Sequence, residues 1–165
     1  MAGAKIKLAL DFDKMLEAIQ SAGGNIEKAA KLAADECAKV MADELTSECN
    51  ASNVPQSVTN EIKSEVIVSG GGNVYEVEAG WGKGEYTPNN LSAAYKAIFL
   101  NYGTARRTTQ KNKVHRQLDG EWKTFGTNRG AILSRGFIGR AKKGAQKKLK
   151  KVQREALDKM LKELT

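Results

Sequence analysis

The sequence predicts an α+β domain, a small antiparallel β-sheet packed with a long N-terminal helix and a long C-terminal helix, to which a basic hairpin arm is added. Three observations predict it. Apolar residues recur at helical spacing over 26–45 and again from Phe137 to Leu164. Between Ile62 and Trp81 the period shortens to that of strands, and Asp119-Gly120 stands between two extended stretches, a strong hairpin signal. At 165 residues the chain is the size of one domain. We read 1–165 as that domain, with an acidic helix-sheet scaffold at 11–104, a basic loop or hairpin arm at 105–135 and a basic amphipathic helix at 136–165.

Each element has its own signals. Asp11 or Asp13 can cap a first helix carrying Phe12, Met15, Leu16 and Ile19, which Gly23-Gly24 ends. Asn25 can cap a longer second helix with a stripe of Ile26, Ala30, Ala33, Cys37, Val40, Met41 and Leu45. So much alanine predicts that another element packs very close. The helix is expected to fray near Asn50, and Pro55 forces an extended backbone on Val54. Ile62, Val66 and Val68, then Val74, Val77 and Trp81, mark two strands around a glycine turn at 70–72. Glu76 and Glu78 share a strand face, expected to be a solvated or subunit-facing edge. Pro88 and Asn90 are start signals for a short helix with Leu91, Ala94, Tyr95, Ile98, Phe99 and Tyr102, which breaks at a turn of Tyr102, Gly103 and Thr104. Across Asp119-Gly120, Val114 pairs with Phe125 and Gln117 with Trp122. The last helix presents a packed face of Phe137, Ala141, Ala145, Leu149, Val152, Ala156, Met160 and Leu164. Opposite lie Lys142, Lys143, Lys147, Lys148, Lys150, Lys151 and Arg154, with no acid between Arg140 and Arg154.

Composition narrows the function classes. With 41% hydrophobic and 28% charged residues the chain reads as globular, and 6% aromatic predicts a core of aliphatic and small side chains. No run approaches the roughly 20 apolar residues of a membrane span, and the apolar part of MAGAKIKLALDF is too short for a secretion signal, so the protein is expected to be cytoplasmic when made. Cys37 and Cys49, if they share one helix, lie about 18 Å apart along its axis, too far for a disulfide. Together with the lone His115 they make no zinc set, and no Ser/His/Asp or Cys/His constellation is present. GWGKG at 80–84 lacks the spacing of a phosphate loop. We expect no catalytic residues, metal or cofactor.

Charge is divided along the chain. Residues 1–100 hold 9 Lys, no Arg and 14 acids, whereas residues 101–165 hold 18 Lys or Arg against 5 acids. An acidic half is thus joined to a basic half near Gly103, a pattern that points to a polyanion or to the acidic half of another copy. The candidate contact residues are Arg106, Arg107, Lys111, Lys113, Arg116, Lys142, Lys143, Lys147 and Lys148.

Three stretches in this order, VTNEIKSEV, AAYKAIFLNYGTAR and RGFIGRAKKGAQKKL, resemble the bacteriophage HK97 gp10-like family of neck and tail-completion proteins. They are similar to its Thr-Gly-x-Leu-x-x-Ser, Tyr-Ala with Glu-x-Gly-Thr, and Pro-Phe-x-x-x-Ala segments. Asn60 stands where the family favours glycine, Asn101 where it favours glutamate and Gly136 where it favours proline; 80–92 and 105–135 are longer than usual. The resemblance implies a virion structural protein, a tail-terminator-like head-tail connector at the head-tail junction or the top of the tail, resident in the host cytoplasm before assembly. It implies a homo-oligomeric ring, a hexamer or dodecamer, with head-completion and tail-tube proteins as partners, non-specific contact with passing DNA and no membrane. The rival reading is a stand-alone nucleic-acid-binding protein, because Arg106, Arg107, Lys111, Lys113, Arg116 and Lys123 are interleaved with Trp122 and Phe125.

Overall fold

Asn25 sets the start of the longest N-terminal element. Its backbone is extended and its side-chain oxygen accepts the Lys28 N–H at 2.9 Å, satisfying one of the amides that a helix leaves unpaired at its start. The computed structural model describes residues 4–9, 13–21, 23–69, 74–82, 86–87, 90–104, 114–118, 121–125 and 131–164. A short helix α1, Asp13–Ser21, precedes α2, Ile26–Ala51, and a single turn α3, Gln56–Thr59, follows it. The side chains of Asp11, Phe12, Asp13, Met15 and Leu16 lie outside the described residues.

The alanine stripe of α2 has the consequence expected of it. Ala29, Ala30, Ala33, Ala34, Cys37, Ala38, Met41, Leu45 and Cys49 are all buried, while Ile26 and Val40 sit half-buried at its margins. Helix α5, Phe137–Leu164, lies against α2 in the most extensive contact between any two helices of the fold. Small side chains let the two backbones approach, so Phe137, Ala141, Ala145, Leu149, Ala156, Leu157 and Met160 of α5 are buried, with Val152 half-buried beside them. Burial pushes both cysteine thiols up to about 12, assisted by the neighbouring carboxylates of Glu36 and Glu48.

The sheet has one strand more than its sequence signals announce. Strands β2, Lys63–Ser69, and β3, Val74–Gly80, pair antiparallel, the expected glycine turn at 70–72 lying outside the described residues, but β1, Lys5–Ala9, adds to the other side of β3 to give the order β1-β3-β2. The alternation Lys-Ile-Lys-Leu was the available signal for β1: Ile6, 2% exposed, faces the core opposite Ala79, and the lysines face outward. This corrects the position of the two glutamates. Because β3 is central, Glu76 and Glu78 do not lie on an edge, and Glu78 is only 2% exposed. Tyr75, Val77 and Ala79 form the core face of β3. Trp81 follows directly, fully buried, donating its indole N–H to the Val58 carbonyl at 2.7 Å and setting its ring edge against Phe137 at 6.2 Å.

Beyond the sheet, β4, Tyr86–Thr87, and β5, Asn90–Leu91, form a two-residue ladder. Helix α4, Ala93–Tyr102, therefore starts after Ser92 rather than at Pro88 or Asn90. Its buried positions are Ala94, Ala97 and Asn101, not the expected large apolar stripe: Tyr95, Ile98 and Phe99 are half-buried and Tyr102 is 69% exposed. Alanine at 94 and 97 brings the helix close to its neighbours and displaces the bulkier residues to the flanks. The hairpin of β6, Val114–Leu118, and β7, Glu121–Phe125, has the register that Asp119-Gly120 predicts, with Val114 opposite Phe125 and Gln117 opposite Trp122.

Candidate assembly and nucleic-acid interface

The turn at Gly103, where α4 ends, has a geometric cause. Gly103 closes α4 by donating its N–H to the Phe99 carbonyl at 2.8 Å, with φ 77° and ψ −179°. Such a backbone is open to glycine and strained for other residues. A Cβ there would also meet the Ile132 carbonyl oxygen at 2.6 Å and the Ser134 nitrogen at 2.8 Å. The chain that leaves at Thr104 therefore returns directly behind Gly103.

Hydrogen bonds hold the two ends together. The Thr104 N–H donates to the Ile132 carbonyl at 2.9 Å, and the Ile132 N–H donates to the Thr104 hydroxyl at 3.1 Å. Arg135 and Gly136 donate their N–H groups to the carbonyls of Leu100 and Asn101, and the Ser134 hydroxyl donates to the Asn101 carbonyl. The Asn101 side-chain oxygen then accepts the Ile138 N–H at 2.9 Å in the first turn of α5. One buried asparagine thus joins the end of α4, the returning segment and the start of the last helix. Glutamate, favoured by the family there, is also an acceptor. Proline at 136 would not fit this backbone, because Gly136 has φ 58° and proline holds φ near −65°.

Part of the positive charge of the C-terminal half is used inside the subunit. Arg135 donates to the carbonyls of Ser52 and Asn53, where α2 ends without a basic residue of its own. Arg140 bonds Glu48 at 2.8 Å and the Ser52 hydroxyl at 2.7 Å. Cations at a helix C-terminus satisfy orphan carbonyls and oppose the negative end of the helix dipole. Lys148 pairs with Glu44 across the α2/α5 contact. Lys151 and Arg154 have acids one turn on, at 3.6 and 3.9 Å. Lys142, Lys143, Lys147 and Lys150 are exposed and form no ion pair among the described residues.

A second concentration of charge lies beside the root of the arm. Lys5, Lys7, Tyr102, Ser134, Gly136 and Lys142 line an open groove of about 590 Å³. Lys5 bonds Glu78 at 2.7 Å, and Lys7 pairs with its other oxygen. The two lysine chains cover a carboxylate near the rim rather than in a deep interior. Their hydrogen bonds hold Glu78 below the usual carboxylate range, while Glu78 raises Lys7.

The structure thus gathers Tyr102, Gly103 and Thr104 at the arm root and leaves Lys142, Lys143 and Lys147 on one solvent face of α5, with Lys148 drawn towards α2. Arg106, Arg107, Lys111 and Lys113 lie outside the described residues, and Arg116 is described only through the backbone of β6. Sequence reasoning missed Asn101, Lys5 and Lys7; the alternation in KIKLA could have revealed the two lysines, and the family's preference for glutamate at 101 pointed to an acceptor there. Among the described residues no group of His, Cys, Asp and Glu could hold a metal, and no helix is long and apolar enough to cross a membrane.

Residues 13–103, more than half of the chain, match the family described as "Bacteriophage HK97-gp10, putative tail-component". No curated protein and no solved structure matches. The match runs from α1 to the end of α4 and stops at Gly103, so of the three resembling stretches RGFIGRAKKGAQKKL lies beyond it and AAYKAIFLNYGTAR lies within it only as far as Gly103. On the strength of the helix-sheet body that this match covers, the chain belongs to the HK97-gp10-like family of bacteriophage tail components.

Proposed function

We propose that this protein is a neck or tail-completion subunit that assembles into a ring at the head-tail junction, with its basic segment turned to a neighbouring copy or to DNA passing through. The family match over 13–103 carries this reading. The charge geometry supports it: a segment with seven Lys or Arg against two acids, 105–130, leaves and re-enters the body at one hydrogen-bonded point, Thr104 with Ile132. An extension held at both ends is suited to reaching another molecule without unfolding the body. Lys142, Lys143 and Lys147 add a solvent face of one sign that can neutralise phosphates or a partner's acids.

The test pairs electron microscopy with complementation. Purified protein, alone and mixed with its tail-tube protein, is expected to form rings in negative stain, and particles lacking the protein should be non-infectious. Replacing Lys142, Lys143 and Lys147 with glutamine should leave the monomer's fold intact while impairing particle completion. Tight, sequence-specific DNA binding by the monomer, combined with normal particle assembly in its absence, would overturn this reading in favour of a nucleic-acid-binding protein.

A further inference from the structure

Among the described residues the three-stranded sheet ends in two free edges that differ in kind. The Trp81 N–H donates to the Ala4 carbonyl at 3.2 Å. In an antiparallel ladder the N–H and C=O of a residue point to the same side and alternate along the strand. In β3, residues 75, 77, 79 and 81 therefore bond towards β1, and 74, 76, 78 and 80 bond towards β2. With Glu65 opposite Glu78 and Ile67 opposite Glu76, the main-chain groups of Ser64, Val66 and Val68 point out of the sheet. Among the described residues no backbone group pairs with them.

The β1 edge is guarded by Lys5 and Lys7, and lysine on an edge strand discourages further pairing. The β2 edge is longer and carries Ile67 half-buried and Val68 52% exposed. A β-branched edge of that length, without proline, is a template for another strand.

The hairpin β6–β7 is its complement. It forms a two-stranded sheet of its own, and a two-stranded ribbon is marginal in water without a third strand. The segment containing it is strongly basic, whereas exposed Glu61, Glu65 with 64% of its side chain exposed and Lys5 4.0 Å away, and half-buried Glu76 flank β2 beside Lys63. The arm root lies in the groove beside Lys5 and Lys7, on the β1 side of the sheet, and the open acceptor lies on the β2 side. An arm rooted on the side of the subunit opposite its acceptor favours a head-to-tail contact, the kind that can close into rings.

We propose that the basic hairpin of one copy adds as a strand to the β2 edge of the next copy. The proposal rests on the ring reading above and names the contact that would build the ring.

A mixture of copies, each with one introduced cysteine, tests it. Cys37 and Cys49 are buried with thiols pushed up to about 12, so they stay out of disulfide exchange. Copies carrying Val68→Cys, mixed with copies carrying Arg116→Cys, Gln117→Cys or Lys123→Cys and oxidised gently, are expected to give a disulfide-linked heterodimer with at least one arm position. Adding Ser64→Pro removes one outward N–H without touching the β2–β3 bonds, and should lower the yield several-fold while circular dichroism stays unchanged. Rings without any such heterodimer, or a dominant Val68→Cys homodimer, would each overturn strand addition and leave the ring reading standing. Monomers at every concentration, with or without the tail-tube protein, would overturn the ring reading and the proposal with it.

Discussion

Replacing Gly103 with alanine tests the description of the arm root. The substitution places a Cβ in a backbone with φ 77° and ψ −179°, and brings it within 2.6 Å of the Ile132 carbonyl oxygen and 2.8 Å of the Ser134 nitrogen. The backbone term alone costs roughly 1 to 3 kcal/mol. Both close contacts are main-chain atoms, so the return segment must retreat, breaking the bonds between Thr104 and Ile132 at 2.9 and 3.1 Å. At about 0.5 to 1.5 kcal/mol for each bond, the total loss comes to roughly 2 to 6 kcal/mol. Urea unfolding of the isolated protein measures it, with the m-value checked for constancy. Gly139→Ala is the control: in α5, with nothing within 4 Å of the new Cβ, it should gain roughly 0.5 to 1 kcal/mol from helix propensity. A loss below about 1 kcal/mol at Gly103, with an unchanged m-value, would refute the tight return behind that glycine.

Three further outcomes follow from other contacts. Asn101→Ala removes the acceptor for the Ile138 N–H and should cost about 1 to 2 kcal/mol, most of it restored by Asn101→Asp, as measured by thermal unfolding. Phe137→Ala empties a fully buried site against Trp81 and should cost about 3 to 5 kcal/mol, with a change in tryptophan fluorescence marking the altered contact. Glu78 is held below its ordinary value of 4.5, so its contribution is present above that pH and is lost as pH falls through the lowered value. Lys7 is raised above 10.5, so its share of the same pair is complete below that pH and is lost as pH rises further. The destabilisation caused by Glu78→Gln, read from urea midpoints across pH, should therefore be greatest between these limits and shrink at both ends.

Much of this architecture was legible in local patterns. Asn25 announces a cap because a side-chain acceptor three residues before a free amide is a short-range event. The hairpin register follows from Asp119-Gly120 because the turn dictates which residues face each other. The face of α5 and the charge boundary at Gly103 follow from periodicity and counting. β1 left only the short alternation of KIKLA as a signal, since five residues acquire strand character only when β3 offers an edge and the core receives Ile6. Its arrival reversed the reading of Glu78, from a solvated edge residue to a covered ion-pair partner of Lys5 and Lys7. The same limit applies to α4, whose buried positions are set by the elements around it, and to Lys148, whose partner Glu44 is distant in sequence. Spacing along a chain fixes which residues share a face; which face is covered, and which charge meets its opposite, depends on elements far away in sequence that only folding brings alongside.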